Sequence, residues 1–210
     1  MQRLQLPREY RSIPLREKIH INVRNLSCPF KSVEPYVPLQ GKILDYGCGH
    51  GLFSWWMKAI HSEREVVGYD ISREKIAIAR ALFESSYHIR FFTDQEYLSY
   101  TPFDAVVIFD VLYLIKEKKE LISIIKKLIK PEGFIIVKEV VQDHTMRFLW
   151  ARFQEYIVTN LLSLTKGEGL FFVSTKEMIQ LLQESGFDVN VVDVSKGFIH
   201  PHRLFIGRKK

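Results

Sequence analysis

The chain has 210 residues and little cysteine: Cys28 and Cys48 only, in neither a CxxC nor a zinc-ligand spacing. That excludes a disulfide scaffold, gives no reason to expect a metal, and predicts a reduced, intracellular (cytoplasmic) protein. Residues 1–9 hold no apolar h-region, so no secretory signal is expected. The longest apolar run, residues 105–115, is broken by Asp110 and is too short to span a bilayer. No internal repeat or low-complexity linker occurs. Neither charge sign dominates strongly, with 30 Lys and Arg against 24 Asp and Glu and a net charge of +6. The surplus fits an anionic substrate or surface. Part of it comes from residues 116–130, where lysines alternate with apolar residues as on a solvated helix face.

What is present is globular: 47% hydrophobic and 26% charged residues, enough for one domain with a substantial core. Residues 1–40 read as an irregular N-terminal extension expected to pack over the active site, with prolines at 7, 14, 29, 35 and 38 around one helix over 15–26. After Gly41 the pattern becomes regular. Strands are predicted at 42–45, 65–70, 88–92, 105–109 and 134–140, and helices at 52–61, 72–85 and 117–129. Pro131-Glu132-Gly133 is read as the stop of the lysine-rich helix. Ser174 and Glu177 have capping-box spacing, opening a helix that runs to Ser185. Two last strands, 188–194 and 203–207, are joined by a link too short for a crossover, so they pair antiparallel. Residues 142–173 form an insertion rich in aromatics. Its stretch 145–164 reads as a helical cap, or as a helix packed on the same domain.

The densest signal is Asp45-Tyr46-Gly47-Cys48-Gly49-His50-Gly51: a strand end, a turn with three alternate glycines, then a helix start. Glycine tolerates positive φ and lets backbone approach a ligand, and the helix N-terminus favours an anion there. Ligands of an open α/β sheet bind beyond the carboxyl ends of its strands. Asp45, Asp70 and Asp110 end strands one, two and four, and Asp94 follows strand three.

With Gly68-Tyr-Asp70-Ile71-Ser72, Thr93-Asp94, Phe103-Asp104 through Asp110-Val-Leu-Tyr113, and Leu128-Ile-Lys-Pro131-Glu132-Gly133-Phe134, this turn resembles the class I S-adenosylmethionine-dependent methyltransferases over residues 41–210. The resemblance implies a Rossmann-like, doubly wound sheet of seven strands in the order 3-2-1-4-5-7-6, the last antiparallel. It implies S-adenosylmethionine as cofactor and S-adenosylhomocysteine as product. Gly47, Cys48 and Gly49 would line the methionine part, and Gly51 would keep helix and strand close. Asp45 would support the methionine ammonium, Asp70 the ribose hydroxyls, and Ile71 the adenine face. Asp94 and Gln95 would meet the adenine amino group, with Asp110 on the methionine side. Tyr46 departs from the small aliphatic residue usual after the first acid. A dinucleotide oxidoreductase is the rival, but its GxGxxG order needs Gly or Ala where Leu52 stands.

Methyl transfer from such a cofactor is an in-line displacement, the acceptor attacking the sulfonium methyl and S-adenosylhomocysteine leaving, in which positioning carries most of the catalysis. A base is needed only where the acceptor holds a proton. Candidates at the strand-end rim are Asp143, His144, His200 and His202, with loop histidines in structural hydrogen bonds as the alternative. Tyr113 faces the methyl or packs, and His50 is structural or cofactor-adjacent. No Asn-Pro-Pro-Tyr-like motif follows Asp110, which disfavours nucleic-acid and glutamine acceptors. The aromatic insertion suits a small-molecule or lipid-like acceptor, with peripheral membrane contact. Arg8, Arg11, Arg16, His20 and Arg24 read as a solvated helix face, or as a site for an acidic group of the substrate. A nucleic-acid (RNA) methyltransferase and a catalytically silent cofactor-binding subunit are the other readings. Oligomeric state is not legible.

Overall fold

Strands form after Gly41 because alternate residues bury on opposite sides of one sheet. The computed structural model describes residues 4, 6, 10, 13–94, 102–143, 169–198 and 200–210. On one face Ile43, Val66, Phe91, Val107, Ile136 and Leu204 share a core. On the other, Leu44, Val67, Val106, Ile108, Val137 and Phe205 share a second. This two-sided burial is what a mostly parallel sheet with helices on both faces requires.

The strands are β1 (Gly41–Tyr46), β2 (Arg64–Tyr69), β3 (Arg90–Phe92), β4 (Phe103–Phe109), β5 (Ile129–Val140), β6 (Phe187–Asp193) and β7 (His202–Lys209). They lie in the order β3-β2-β1-β4-β5-β7-β6, as the resemblance implied. Pairings are parallel from β3 through β5 and antiparallel for β5–β7 and β6–β7. Helices α1 (Leu15–Ser27), α2 (Phe30–Val33), α3 (Leu52–Ile60) and α4 (Arg73–Ala79) pack on the first face through Ile21, Phe30, Phe53, Met57 and Ile76. Helices α5 (Lys118–Leu128) and α6 (Thr175–Glu184) cover the second through Ile122, Ile125, Met178 and Leu182. The Ser174–Glu177 capping box is formed in both directions.

Three local expectations change. The helix expected over 72–85 is α-helical only to Ala79, then widens into a π-turn over Arg80–Glu84 and ends at Tyr87. The wide turn buries Leu82 and Phe83 together, and His88 follows at φ 54°, so β3 starts at Arg90 rather than at 88. Pro131-Glu132-Gly133 does not cap α5. The helix ends at Leu128, and the tripeptide bulges out of β5, whose register jumps from Phe103–Ile129 to Ala105–Phe134. Proline has no N–H for the ladder, and a Cβ on Gly133 would lie 2.9 Å from the Asp104 carbonyl oxygen. The insertion's residues 144–168 lie outside the described residues, and with them the expected cap.

The end of the N-terminal extension is fixed to the sheet by Arg64, which is wholly buried. Its guanidinium donates to Glu34 Oε1 at 2.7 Å and to the carbonyls of Pro38, Met57 and Val37 at 2.7, 3.0 and 3.0 Å. Removing one side of a buried pair leaves the other charge uncompensated. Arg64→Ala is therefore expected to lower unfolding stability by about 3–5 kcal/mol in urea titrations. A loss below about 1 kcal/mol, the range of an exposed pair, would contradict the assignment.

Candidate active site

The glycine turn is shaped by β2. The Gly47 and Cys48 amides both donate to the Tyr69 carbonyl, at 2.7 and 2.9 Å. The Gly49 amide donates to Asp70 Oδ2 and the Ser72 amide to Oδ1, each at 2.8 Å. Asp70 is thus held rigidly by two backbone donors, and each carboxylate oxygen keeps lone-pair capacity for further donors. Gly47, Gly49 and Gly51 have φ of 81°, 56° and 72°. Two of them are also sterically fixed: a Cβ on Gly47 would lie 2.3 Å from Val111, and one on Gly51 2.7 Å from the Phe91 ring. At Gly49, by contrast, a Cβ would meet nothing closer than Lys75 at 4.0 Å, so the turn opens there into free space.

That space is a cleft beyond the strand ends, lined by Tyr46, Gly47, Gly49, Tyr69, Asp70, Ile71, Asp110, Val111, Leu114 and Ile115 on the sheet side. Ile71 is 61% exposed, an apolar side chain presented at the cleft. A smaller adjoining cavity reaches Asp45, Gly47 and Cys48. Asp45 is buried and accepts from Ser54 Oγ at 2.5 Å. Burial raises its carboxyl to about 6, against the help of Ser54 and Arg24. Asp94 is exposed after β3.

The opposite wall is α1. His20, Arg24 and His50 line the cleft with Lys75. This corrects the solvated-face reading: His20 is buried and Arg24 reaches inward, its guanidinium donating to the Phe109 carbonyl at 3.4 Å. Arg16 does remain exposed, whereas Arg8 and Arg11 lie outside the described residues. His50 Nε2 and Glu17 Oε2 are 2.7 Å apart, which ties α1 to the glycine turn. Burial, reinforced by Lys75 and Arg24, drives His20 to about 2 and His50 to about 3, so both are neutral at physiological pH. Glu17, His20 and His50 bring donor atoms within 4.8 Å of one another. Burial keeps these imidazoles neutral, and the neighbouring Lys75 and Arg24 charges oppose a cation there.

At the end of β4, Asp110 adopts φ 57°, and the turn it opens is gripped by consecutive residues of β5. Lys138 Nζ, fully buried, donates to both Asp110 oxygens at 2.6 Å. Glu139, pointing to the other face, accepts from the Val111 and Leu112 amides at 2.9 and 2.7 Å. Burial opposes the Asp110 charge, but Lys138 outweighs it and holds the carboxyl below its usual range. Burial and the nearby Asp110 raise Glu139 to about 8. Cys28 Sγ also approaches Asp110 at 3.5 Å.

The candidate bases are unevenly placed. His202 opens β7, is 2% exposed and stands edge-on to Phe198 and His200, at ring distances of 5.4 and 5.9 Å. Burial and Lys138 keep both imidazoles neutral. Asp143 accepts from the Thr175 amide at 2.8 Å, a contact at the start of α6. Tyr113 is buried and stacked on Phe172 at 5.0 Å, which is a packing contact. His144 and Gln95 lie outside the described residues. Sequence reasoning missed Glu17, Lys75, Lys138 and Glu139. The signal for the last two was two adjacent charges inside an apolar strand, Val137-Lys138-Glu139-Val140.

Comparison with known proteins agrees with this arrangement. Residues 19–191 match the family model described as a methyltransferase domain. YqeM of Bacillus subtilis, provisionally named a methyltransferase, is 32% identical over 59% of this chain and 58% of its own length. The ubiquinone biosynthesis O-methyltransferase of Thiobacillus denitrificans is 25% identical over 74% of this chain and 68% of that protein. Among solved structures, an O-methyltransferase family protein from Burkholderia thailandensis superposes with a TM-score of 0.73 at 18% identity, over 93% of this chain and 59% of that one. The chain therefore spans about three-fifths of the length of the first relatives in each comparison. With a match over most of its length and the strand order of the class, the chain belongs to the methyltransferase-domain family, whose cofactor is S-adenosylmethionine.

Proposed function

We propose that the protein transfers the methyl group of S-adenosylmethionine to a small-molecule or lipid-like acceptor. The observation that carries the cofactor half is Asp70, held by the Gly49 and Ser72 amides at the mouth of an open glycine turn. The residues fit the cofactor. Asp70 would take the two ribose hydroxyls, Ile71 the adenine face, and Asp94 the adenine amino group. The Gly47–Gly49 backbone would lie along the methionine chain, with Asp45 on its ammonium and Arg24, whose donors face the cleft, on its carboxylate. Bound there, the cofactor supplies a sulfonium-activated methyl open to in-line attack.

The chain's own work is then positioning. The Lys138–Asp110 pair and the Glu139 contacts fix the β4 end against the methionine side. The N-terminal extension covers the cleft through α1. Neutral His200 and His202 lie near this pair and would accept an acceptor proton. Their lowered proton affinity suits an acidic hydroxyl such as a phenol better than an aliphatic alcohol. Relatives named as O-methyltransferases support oxygen as the acceptor atom.

Calorimetry on the purified protein should detect S-adenosylmethionine binding, and Asp70→Ala should weaken it at least about tenfold, one charge-assisted hydrogen bond's worth. Unchanged affinity would remove the ribose assignment.

Affinity should also depend on pH through Asp45. With its carboxyl raised to about 6, it is protonated below that value, and binding an ammonium then requires its ionisation. Affinity is therefore expected to fall as pH drops through about 6 and to level off above it, while Asp45→Asn flattens the profile. His20 and His50 stay neutral over this range and do not contribute. A profile that keeps its slope in Asp45→Asn contradicts the role.

Radiolabelled methyl transfer into fractionated cell extract tests the acceptor. Label is expected in the lipid or small-molecule pool. Label confined to nucleic acid rejects the proposal in favour of the RNA reading, and no label in any pool favours the silent subunit.

A further inference from the structure

Helix α1 has two working faces. Glu17, His20 and Arg24 turn inward, to His50 and the cleft. On its outer side, Leu15, Ile19 and Val23 recur every four residues and are 73%, 53% and 38% exposed. Three large aliphatic side chains stacked along one helix form a continuous apolar ridge, not the scattered exposed residues of an ordinary surface. Arg16 and Lys18 flank the ridge, while the only acid of the helix, Glu17, is drawn inward to His50. A basic-edged apolar ridge complements an anionic lipid surface, where aliphatic side chains enter the acyl boundary and cations meet headgroups.

We propose that the outer face of α1 docks the protein on an anionic bilayer surface. This rests on the lipid-like acceptor proposed above and places its source: the helix that walls the cleft on one side lies on the membrane with the other. Among the described residues no helix is long and apolar enough to cross a bilayer, so the contact is peripheral. Docking would hold the cleft that α1 walls close to the interface and shorten the path of an apolar acceptor to it. The net charge of +6 adds long-range attraction to the same surface.

Flotation of the full chain with vesicles tests the inference. One set is phosphatidylcholine alone, and the other contains about one-third phosphatidylglycerol, enough to give a strong anionic surface. Binding is expected to the anionic vesicles and to fall at least about tenfold in Leu15→Ser/Ile19→Ser, as two buried aliphatic side chains imply. Cofactor affinity of the double variant should be unchanged, which shows that it is folded. A conservative Arg16→Gln/Lys18→Gln variant should weaken binding and reduce its salt dependence. No binding to anionic vesicles overturns the inference, as does binding that survives the serine variant. A wild-type dimer that the serine variant makes monomeric, with no vesicle binding, would assign the ridge to a second copy of the chain. The readout needs no turnover. Vesicle binding with label confined to nucleic acid in the extract assay would sink the acceptor reading alone, and label in the lipid pool without vesicle binding would sink the docking surface alone.

Discussion

Everything at the site depends on three backbone amides folding back onto the end of a neighbouring strand. Gly47 and Cys48 share the Tyr69 carbonyl, and Gly49 reaches the Asp70 carboxylate. These bonds force the positive φ angles that require glycine, and they aim a preorganised acid at the cleft. Parallel pairing of β1 with β2 brings the donors and acceptors level, Asp45 opposite Gly68 and Tyr46 opposite Tyr69. A side chain on Gly68 would collide with Phe91 and with Cys48 Sγ, so the packing beneath the turn is as tightly specified as the turn itself.

The second anchor is the end of β4. There two consecutive β5 residues, Lys138 and Glu139, point to opposite faces and hold opposite sides of one turn. Burying an ion pair gains little net stability over apolar packing. Its value here is geometric, because it fixes Asp110 in a left-handed conformation beside the cleft. The cleft is thus bounded by two rigid strand ends and closed by a helix from outside the sheet. The Glu17–His50 contact connects that helix to the glycine turn, so cover and cradle form a single network.

The sheet was legible because strands buried on both faces are short apolar runs between punctuating glycines and prolines, and the strand order came with the resemblance carried by the Asp45–Gly51 turn. What misread was local. Pro131-Glu132-Gly133 carries the residues of a helix stop and of a strand bulge alike, and only the register with β4 separates them. The π-turn at Arg80–Glu84 answers to the packing of Leu82 and Phe83, which no local propensity encodes. The acids that end β1, β2 and β4 at the cleft were visible in the sequence. The α1 contribution was legible only as one of two readings, because a helix with Arg16, Glu17, Lys18, His20 and Arg24 serves a solvated face as well as an acidic ligand until its orientation is known. Lys138 and Glu139 were hidden by the apolar run around them, which marked a strand and drew attention from its charges.

A structure with S-adenosylhomocysteine bound tests the central claim most directly. The account predicts both ribose hydroxyls on the Asp70 carboxylate and the amino-acid carboxylate on Arg24. A cleft left empty at saturating ligand, or a ribose held away from Asp70, would contradict it.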